Sequence, residues 1–445
     1  MKFTFKLLFS ILIISLIASC KSYNNDYEKD THQAKYIHTS MKKLSDVIIH
    51  DIFSPPVASR NYMYPSVAAY EAGRHMDSSY VSLVGQLNGL EKVTAPSKDQ
   101  TYDFAIASTT ALLHTAKHFI FSEEKIQEYD SIYLEEIKEL NINPDILNAS
   151  IAYGKQVSSD IISWSNGDNY KQTRSYPKYA VEDNPERWKP TPPAYMEGIE
   201  PHWREIRPVV IDSADQFTPE VPTTFSLDKE SKFYEEVMEV YTTVNNLDEE
   251  QNEIASFWDC NPYVLNVTGH VMHASKKITP GGHWIGIVKI ACEKDNADFM
   301  KTVKAYTLTS LTLIDGFISC WDEKYRSNLT RPETYINEYI DNDWLPTLQT
   351  PPFPEYTSGH SVISTAAAVA LTSIFGENFA FRDDTEVEFG LPVRNFDSFY
   401  DASSEAAISR LYGGIHYRPA IENGVKQGRK LGQFIVQQIN FQEQS

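Results

Sequence analysis

The chain has 445 residues, 42% hydrophobic and 12% aromatic, with a formal net charge of −20 and a pI near 5.0. A surface this acidic repels polyanions, which argues against a nucleic-acid partner. The length suits two to three domains or one large helical unit, and any cationic site must be gathered locally against the overall field.

The N-terminus reads as an export signal: Lys2 and Lys6, an apolar stretch from Leu7 to Ile17, then Ala18-Ser19-Cys20. The apolar stretch is too short to span a bilayer as a mature helix. Ile17-Ala18-Ser19-Cys20 resembles a bacterial lipobox, which implies cleavage after residue 19 and acylation of Cys20. Residues 20–35 are then expected to be a polar tether. This address implies the bacterial periplasm or cell surface, with contact to a membrane only through the lipid. The remaining cysteines, Cys260, Cys292 and Cys320, are odd in number and form no Cys-x-x-Cys, so neither a disulfide framework nor a cysteine-rich zinc site is expected.

Helical periodicity dominates residues 36–166. Leu44, Ile48 and Ile52 recur at fours up to Ser54-Pro55-Pro56, which reads as a break. Pro65 to His75 predicts a short helix opened by its proline, and Thr101 to Phe121 a long apolar one. Ser122 is placed to cap a helix over Glu123–Leu140, and Pro144–Trp164 is another, stopped by Asn166-Gly167. His114 and His118 have the i,i+4 spacing of a metal pair but lack an adjacent Glu base and a third ligand. Residues 167–224 follow neither period and are rich in Pro, Tyr and Trp, which suggests an ordered connection packed by its aromatics.

Helical patterning resumes in the last part, 225–445. His270, His273 and His283 surround a Gly-Gly turn, where they either line a pocket mouth or cap helices. Further helices are predicted over Ala297–Tyr325, Thr357–Phe375, Glu405–Leu411 and Ala420–Ile439. No strand pattern emerges, so the expected fold class is all-α.

Three stretches of this last part carry chemistry: Lys324–Pro332 (KYRSNLTRP), Phe353–His360 (FPEYTSGH) and Ser409–His416 (SRLYGGIH). Ser358-Gly359-His360 directly precedes a long apolar run, so it sits at a helix N-terminus, where free N–H groups and the dipole favour an anion. Lys324 and Arg331 are seven residues apart, and Pro332 is expected to end their segment. Each cation within ~4 Å of an oxyanion contributes on the order of 4 kcal/mol at an effective dielectric of ~20, before desolvation. Arg331 and Arg410 offer planar forks, while Lys324 offers a point charge. Gly413-Gly414 breaks the helix between Arg410 and His416, which lets both face one pocket. The set can hold a tetrahedral oxyanion and place an imidazole on either side of its central atom.

In this order and spacing the three stretches resemble the type 2 phosphatidic acid phosphatase and vanadium haloperoxidase superfamily. Its pattern is Lys-x6-Arg-Pro, Pro-Ser-Gly-His and Ser-Arg-x5-His-x3-Asp. Two positions depart from it: Thr357 replaces a proline, and Ala420 stands where the final aspartate should orient the histidine, a role Glu422 is the nearby candidate to take over. Trp321, and Phe353 seven residues before His360, are similar to the chloroperoxidase branch. The resemblance implies a fold of helical bundles and a vanadate cofactor held by Lys324, Arg331, Ser358, Gly359, Arg410 and His416, with His416 as the vanadium ligand. His360 is implied as acid/base, Asp259 as the carboxylate pairing with Arg410, and Trp321 and Phe353 as supporting residues. The implied reaction is oxidation of halide by hydrogen peroxide. The alternative is hydrolysis of a phosphoester, in which His416 attacks phosphorus and phosphate occupies the same site.

Overall fold

The structure, a computed structural model, describes residues 23–442 apart from 263, 269, 270 and 275. Cys20 and His270 lie outside the described residues. Helices of eight or more residues are labelled in chain order. The first half contains α1 (Lys35–His50), α2 (Pro55–Gly73), α3 (Phe104–His118), α4 (Glu123–Glu139) and α5 (Pro144–Ser165). The second contains α6 (Lys232–Asn245), α7 (Glu249–Phe257), α8 (Pro280–Asp295), α9 (Phe299–Ser327), α10 (Pro332–Tyr339), α11 (Gly359–Phe375), α12 (Phe399–Tyr412) and α13 (Arg418–Gln438).

Two proline readings are corrected. Ser54-Pro55-Pro56 starts a helix rather than breaking the chain, because Ser54 Oγ accepts the Val57 N–H and the prolines occupy the first turn, where no N–H is needed. Pro65 then lies inside α2 and opens nothing. A mid-helix proline costs ~3 kcal/mol in isolation. Here every residue of α2 is buried, and packing on all sides offsets that cost.

The long helix α9 is the shared axis of the fold. It packs on α2 in the first half and on α11 in the second. The helix α11 also packs along α13, where Gly424, Gly428 and Gly432 recur at fours. A Cβ on Gly428 would lie 2.1 Å from the Val362 carbonyl oxygen, so only glycine permits this approach.

Residues 167–224 contain only short helical turns at Tyr170–Thr173 and Trp203–Glu205. Their anchors are the fully buried indoles of Trp188 and Trp203, and a carboxylate from α9. Asp315, buried, accepts the backbone N–H groups of Val209, Val210 and Ile211 at 2.7, 2.7 and 2.9 Å. Trp321 Nε1 and the Tyr325 hydroxyl both donate to the Ile199 carbonyl, so the connection lies against the end of α9 that carries Lys324.

Among the described residues the protein is all-α apart from two small antiparallel strand pairs. They pair β1 (Leu265–Thr268) with β2 (Val271–Ala274), and β3 (Phe381–Asp383) with β4 (Arg394–Phe396). Strands of three or four residues are too short to register a period-two pattern, which is why the sequence gives no sign of them. Among the described residues no helix is long and apolar enough to cross a membrane.

Candidate active site

Three chain breaks bring the cationic residues together. The helix α9 ends at Asn328, which adopts a left-handed conformation (φ 49°), and turns the chain toward Arg331. Arg331 is extended and immediately precedes Pro332, which starts α10 and does not merely end the preceding segment as the sequence suggested. Ser358 caps α11 by accepting the Ser361 N–H at 3.3 Å, and its own N–H bonds the Ala420 carbonyl at 3.0 Å. After α12, Gly414 turns the chain with φ 73°, a conformation that favours glycine, and delivers His416 to the same place.

His360 and His416 both line a small cavity of about 30 Å³, together with Gly359, Arg410, Trp321 and Phe353. That space suits a few water-sized groups. Arg331 Nε donates to the Phe353 carbonyl at 2.9 Å and Nη1 to that of Ile415 at 2.7 Å. Arg331 Nη1 also lies 3.2 Å from His416 Nε2. Arg410 bonds Ser409 Oγ at 2.9 Å and the Trp258 carbonyl at 2.7 Å. Lys324 donates to the carbonyls of Pro354, Glu355 and Thr357 and thereby pins the segment that leads into α11. Trp321 and Phe353 pack with ring centroids 4.9 Å apart. The Phe353 ring carries Lys324 Nζ and the Arg331 guanidinium, each 5.1 Å from its centroid.

The carboxylate partner of His416 is Glu355, which the sequence reading did not identify. His416 Nδ1 lies 2.9 Å from Glu355 Oε1, and the Tyr417 N–H donates to the same oxygen at 2.9 Å. Glu422 is exposed and Ala420 contributes only its carbonyl, so it is Glu355, and not the candidate Glu422, that meets His416. The signal lay in Phe353-Pro354-Glu355-Tyr356: an acidic residue in an apolar, proline-containing stretch three residues before the helix cap. A carboxylate on Nδ1 holds the ring proton there and leaves the Nε2 lone pair free to accept, as its contact with Arg331 Nη1 requires.

Electrostatically the site is a set of buried cations short of anionic partners. Burial, with Arg331 nearby, lowers the Lys324 pKa to about 7. Burial lowers Arg331 and Arg410 to about 10. His416 is held well below its ordinary value by burial and then by Arg331, Lys324, Arg410 and His360, so its ring is neutral. Burial and Arg410 do the same to His360. Burial pushes Glu355 up to about 7 against the pull of Arg331 and Lys324. Besides Glu355 Oε2, Arg331 Nη2 and His360 Nε2 are buried polar atoms of the site without a partner. Uncompensated buried groups of this kind are costly, and a tetrahedral oxyanion would relieve them.

This gives a pH dependence of definite sign. A bound dianion restores the proton that crowding strips from Lys324, so between about pH 7 and the ordinary lysine range binding takes up a proton. Affinity for molybdate, a tetrahedral dianion that does not titrate there, is expected to fall with rising pH by at most ~10-fold per unit. Calorimetry in buffers of different ionisation heat measures the uptake at pH 8.5; proton-neutral binding there, or uptake undiminished in Lys324→Met, would contradict it.

Asp259 borders the cavity, but its ion pair is with Lys277, and it reaches Arg410 only as a longer-range attraction. The expected Asp259–Arg410 pair is therefore corrected: the Trp258 carbonyl takes the guanidinium fork instead. His283 neither lines the cavity nor caps a helix; it is fully buried behind Trp258. His273 lies in β2, paired in register with Asn266. His114 bonds Ser158 Oγ at 3.0 Å and His118 packs on Phe119, so they form no metal pair.

Comparison with known proteins places this geometry. Residues 338–443 match the family described as the VCPO second helical-bundle domain. The structure is similar to that of "the first bacterial vanadium dependant iodoperoxidase", with 53% sequence identity and a TM-score of 0.88. That likeness covers 93% of this chain and 99% of the other. Holo- and apo-type bacterial vanadium-dependent chloroperoxidases share the fold at 15% and 16% identity, both with a TM-score of 0.63. The matches cover 87% and 86% of this chain and 93% and 94% of theirs. No curated protein matches the sequence. Identity of 53% over nearly the full length of both chains settles the family: this chain belongs to the vanadium-dependent haloperoxidases.

Proposed function

We propose that this vanadium-dependent haloperoxidase oxidises iodide with hydrogen peroxide, and that the buried cations and paired imidazoles of the cavity hold its vanadate. The observation that carries the site assignment is the His416–Glu355 pair, which leaves a neutral Nε2 lone pair beside Arg331 in a cavity that Arg410 lines. The orphaned His360 Nε2 belongs to a residue that lines that space and the orphaned Arg331 Nη2 to one bonded to His416, and both suit an oxyanion there. Vanadate, when bound, activates hydrogen peroxide toward halide while keeping its oxidation state. His416 Nε2 serves as the metal ligand, and Glu355 fixes the ring tautomer that makes it one. Arg331, Arg410, Lys324 and the α11 N-terminus at Ser358-Gly359 neutralise the oxyanion oxygens. His360, kept neutral by its surroundings, takes up or releases a proton at Nε2. Trp321 and Phe353 wall the cavity and hold the cations in place through their ring faces. The identity to an iodoperoxidase supports iodide as the halide.

The test is triiodide formation with and without added vanadate, run beside bromination of a phenolic dye and hydrolysis of an aryl phosphate. Vanadate-dependent iodide oxidation exceeding bromination is the expected result. Brisk phosphate release with no halide oxidation would reverse the assignment. The signal-like residues 1–19 further support export and lipid anchoring at Cys20. Labelled fatty acid should enter the protein and be absent from Cys20→Ala; equal labelling of the two would refute the anchor.

A further inference from the structure

Behind Trp258 lies a polar cluster that the oxyanion chemistry does not use. His283, in the first turn of α8, stacks on the Trp258 indole with centroids 4.5 Å apart and planes 16° from parallel. Its Nδ1 is 3.0 Å from Glu386 Oε1 and 3.5 Å from Cys260 Sγ, and that sulfur is 3.8 Å from the same glutamate oxygen. All three side chains are buried. They arrive from different places: the loop after α7, the start of α8, and the connection between β3 and β4.

The dimensions of this triangle are informative. Ligand atoms about zinc sit ~2.0–2.3 Å from the ion, so neighbouring ligands in a tetrahedron are ~3.3–3.8 Å apart. The observed edges of 3.0, 3.5 and 3.8 Å form such a face after minor adjustment. The far side of the ring is equally organised. His283 Nε2 meets Asp383 Oδ2 at 2.8 Å and Thr385 Oγ1 at 2.7 Å, and Thr385 in turn donates to Asp383. A carboxylate on the second ring nitrogen is how metal-bound histidines are oriented. An imidazolium held between two carboxylates would account for Asp383 and Glu386 but leaves the thiol, a weak partner, without a role.

We propose that Cys260, His283 and Glu386 form a second metal site, for a divalent ion of the zinc class, separate from the vanadate cavity. Cys260 is also one of the residues that border that cavity. Binding releases the thiol proton of Cys260 and the Nδ1 proton of His283 to solvent, while the Nε2 proton stays on the ring and is donated to Asp383. The thiolate and the glutamate together balance the two charges of the ion. The site staples three segments beside Trp258, whose carbonyl holds Arg410.

The experiment uses the full chain, stripped with chelator and reloaded with cobalt or zinc. One equivalent should bind, and cobalt should give a thiolate-to-metal charge-transfer band in the near ultraviolet. Cys260→Ser should abolish the band, and Glu386→Gln should weaken zinc at least ~10-fold in chelator competition. Cys292→Ser, a buried thiol elsewhere, should change neither. Circular dichroism identifies any variant that fails to fold. A folded, stripped wild type that takes up no ion, or a charge-transfer band surviving in Cys260→Ser, overturns the proposal.

Discussion

Replacing His416 with alanine is expected to abolish vanadium retention on desalting and to lower iodide oxidation by at least ~10³-fold, the scale of removing a group that acts at the reacting centre. The physical reason is that His416 Nε2 is the lone pair that Glu355 prepares. The cations alone would hold an anion by charge without fixing its orientation. Arg331, Lys324 and Arg410 remain in the variant, so weak, salt-sensitive vanadate binding should persist. The truncation leaves a space the size of the lost ring, and added imidazole should restore part of the activity. Stoichiometric vanadium in desalted His416→Ala would show that the ligand lies elsewhere.

Glu355→Gln should weaken vanadate by about 10- to 100-fold, the usual cost of losing a carboxylate behind a metal-bound histidine. The amide is isosteric, and the buried site should tolerate its shape. What is lost is the negative charge that holds the proton on Nδ1 and partly balances Arg331 and Lys324. Without it the His416 ring is free to carry its proton on Nε2, which blocks the lone pair. Glu422→Gln is the matched control, since Glu422 is exposed and should leave affinity unchanged. A purely structural Glu355 would lower melting temperature while leaving vanadate affinity intact. Equal loss in both variants would return the role to Glu422.

The helical class was legible, and the candidate oxyanion residues could be singled out, because both rest on local spacing. Helical stripes repeat every three to four residues. Ser358-Gly359-His360 before an apolar run fixes a helix N-terminus without reference to the rest of the chain. Prolines were read less well. A proline states which backbone bonds are impossible, but whether it starts a helix, as Pro55 and Pro332 do, or is carried inside one, as Pro65 is, depends on what packs around it.

The sequence by itself determined an all-α protein and singled out Lys324, Arg331, Arg410, His360 and His416 as candidates for a tetrahedral anion, since residue type and spacing carry that content. Tertiary structure alone decided which carboxylate serves which cation or imidazole. It gave His416 to Glu355 rather than Glu422, tied Asp259 to Lys277, and brought Cys260, His283 and Glu386 within bonding distance of one another. Buried charges find partners by proximity in space. Chain separations of 61 residues for His416–Glu355 and 126 for Cys260–Glu386 leave no local trace of that choice.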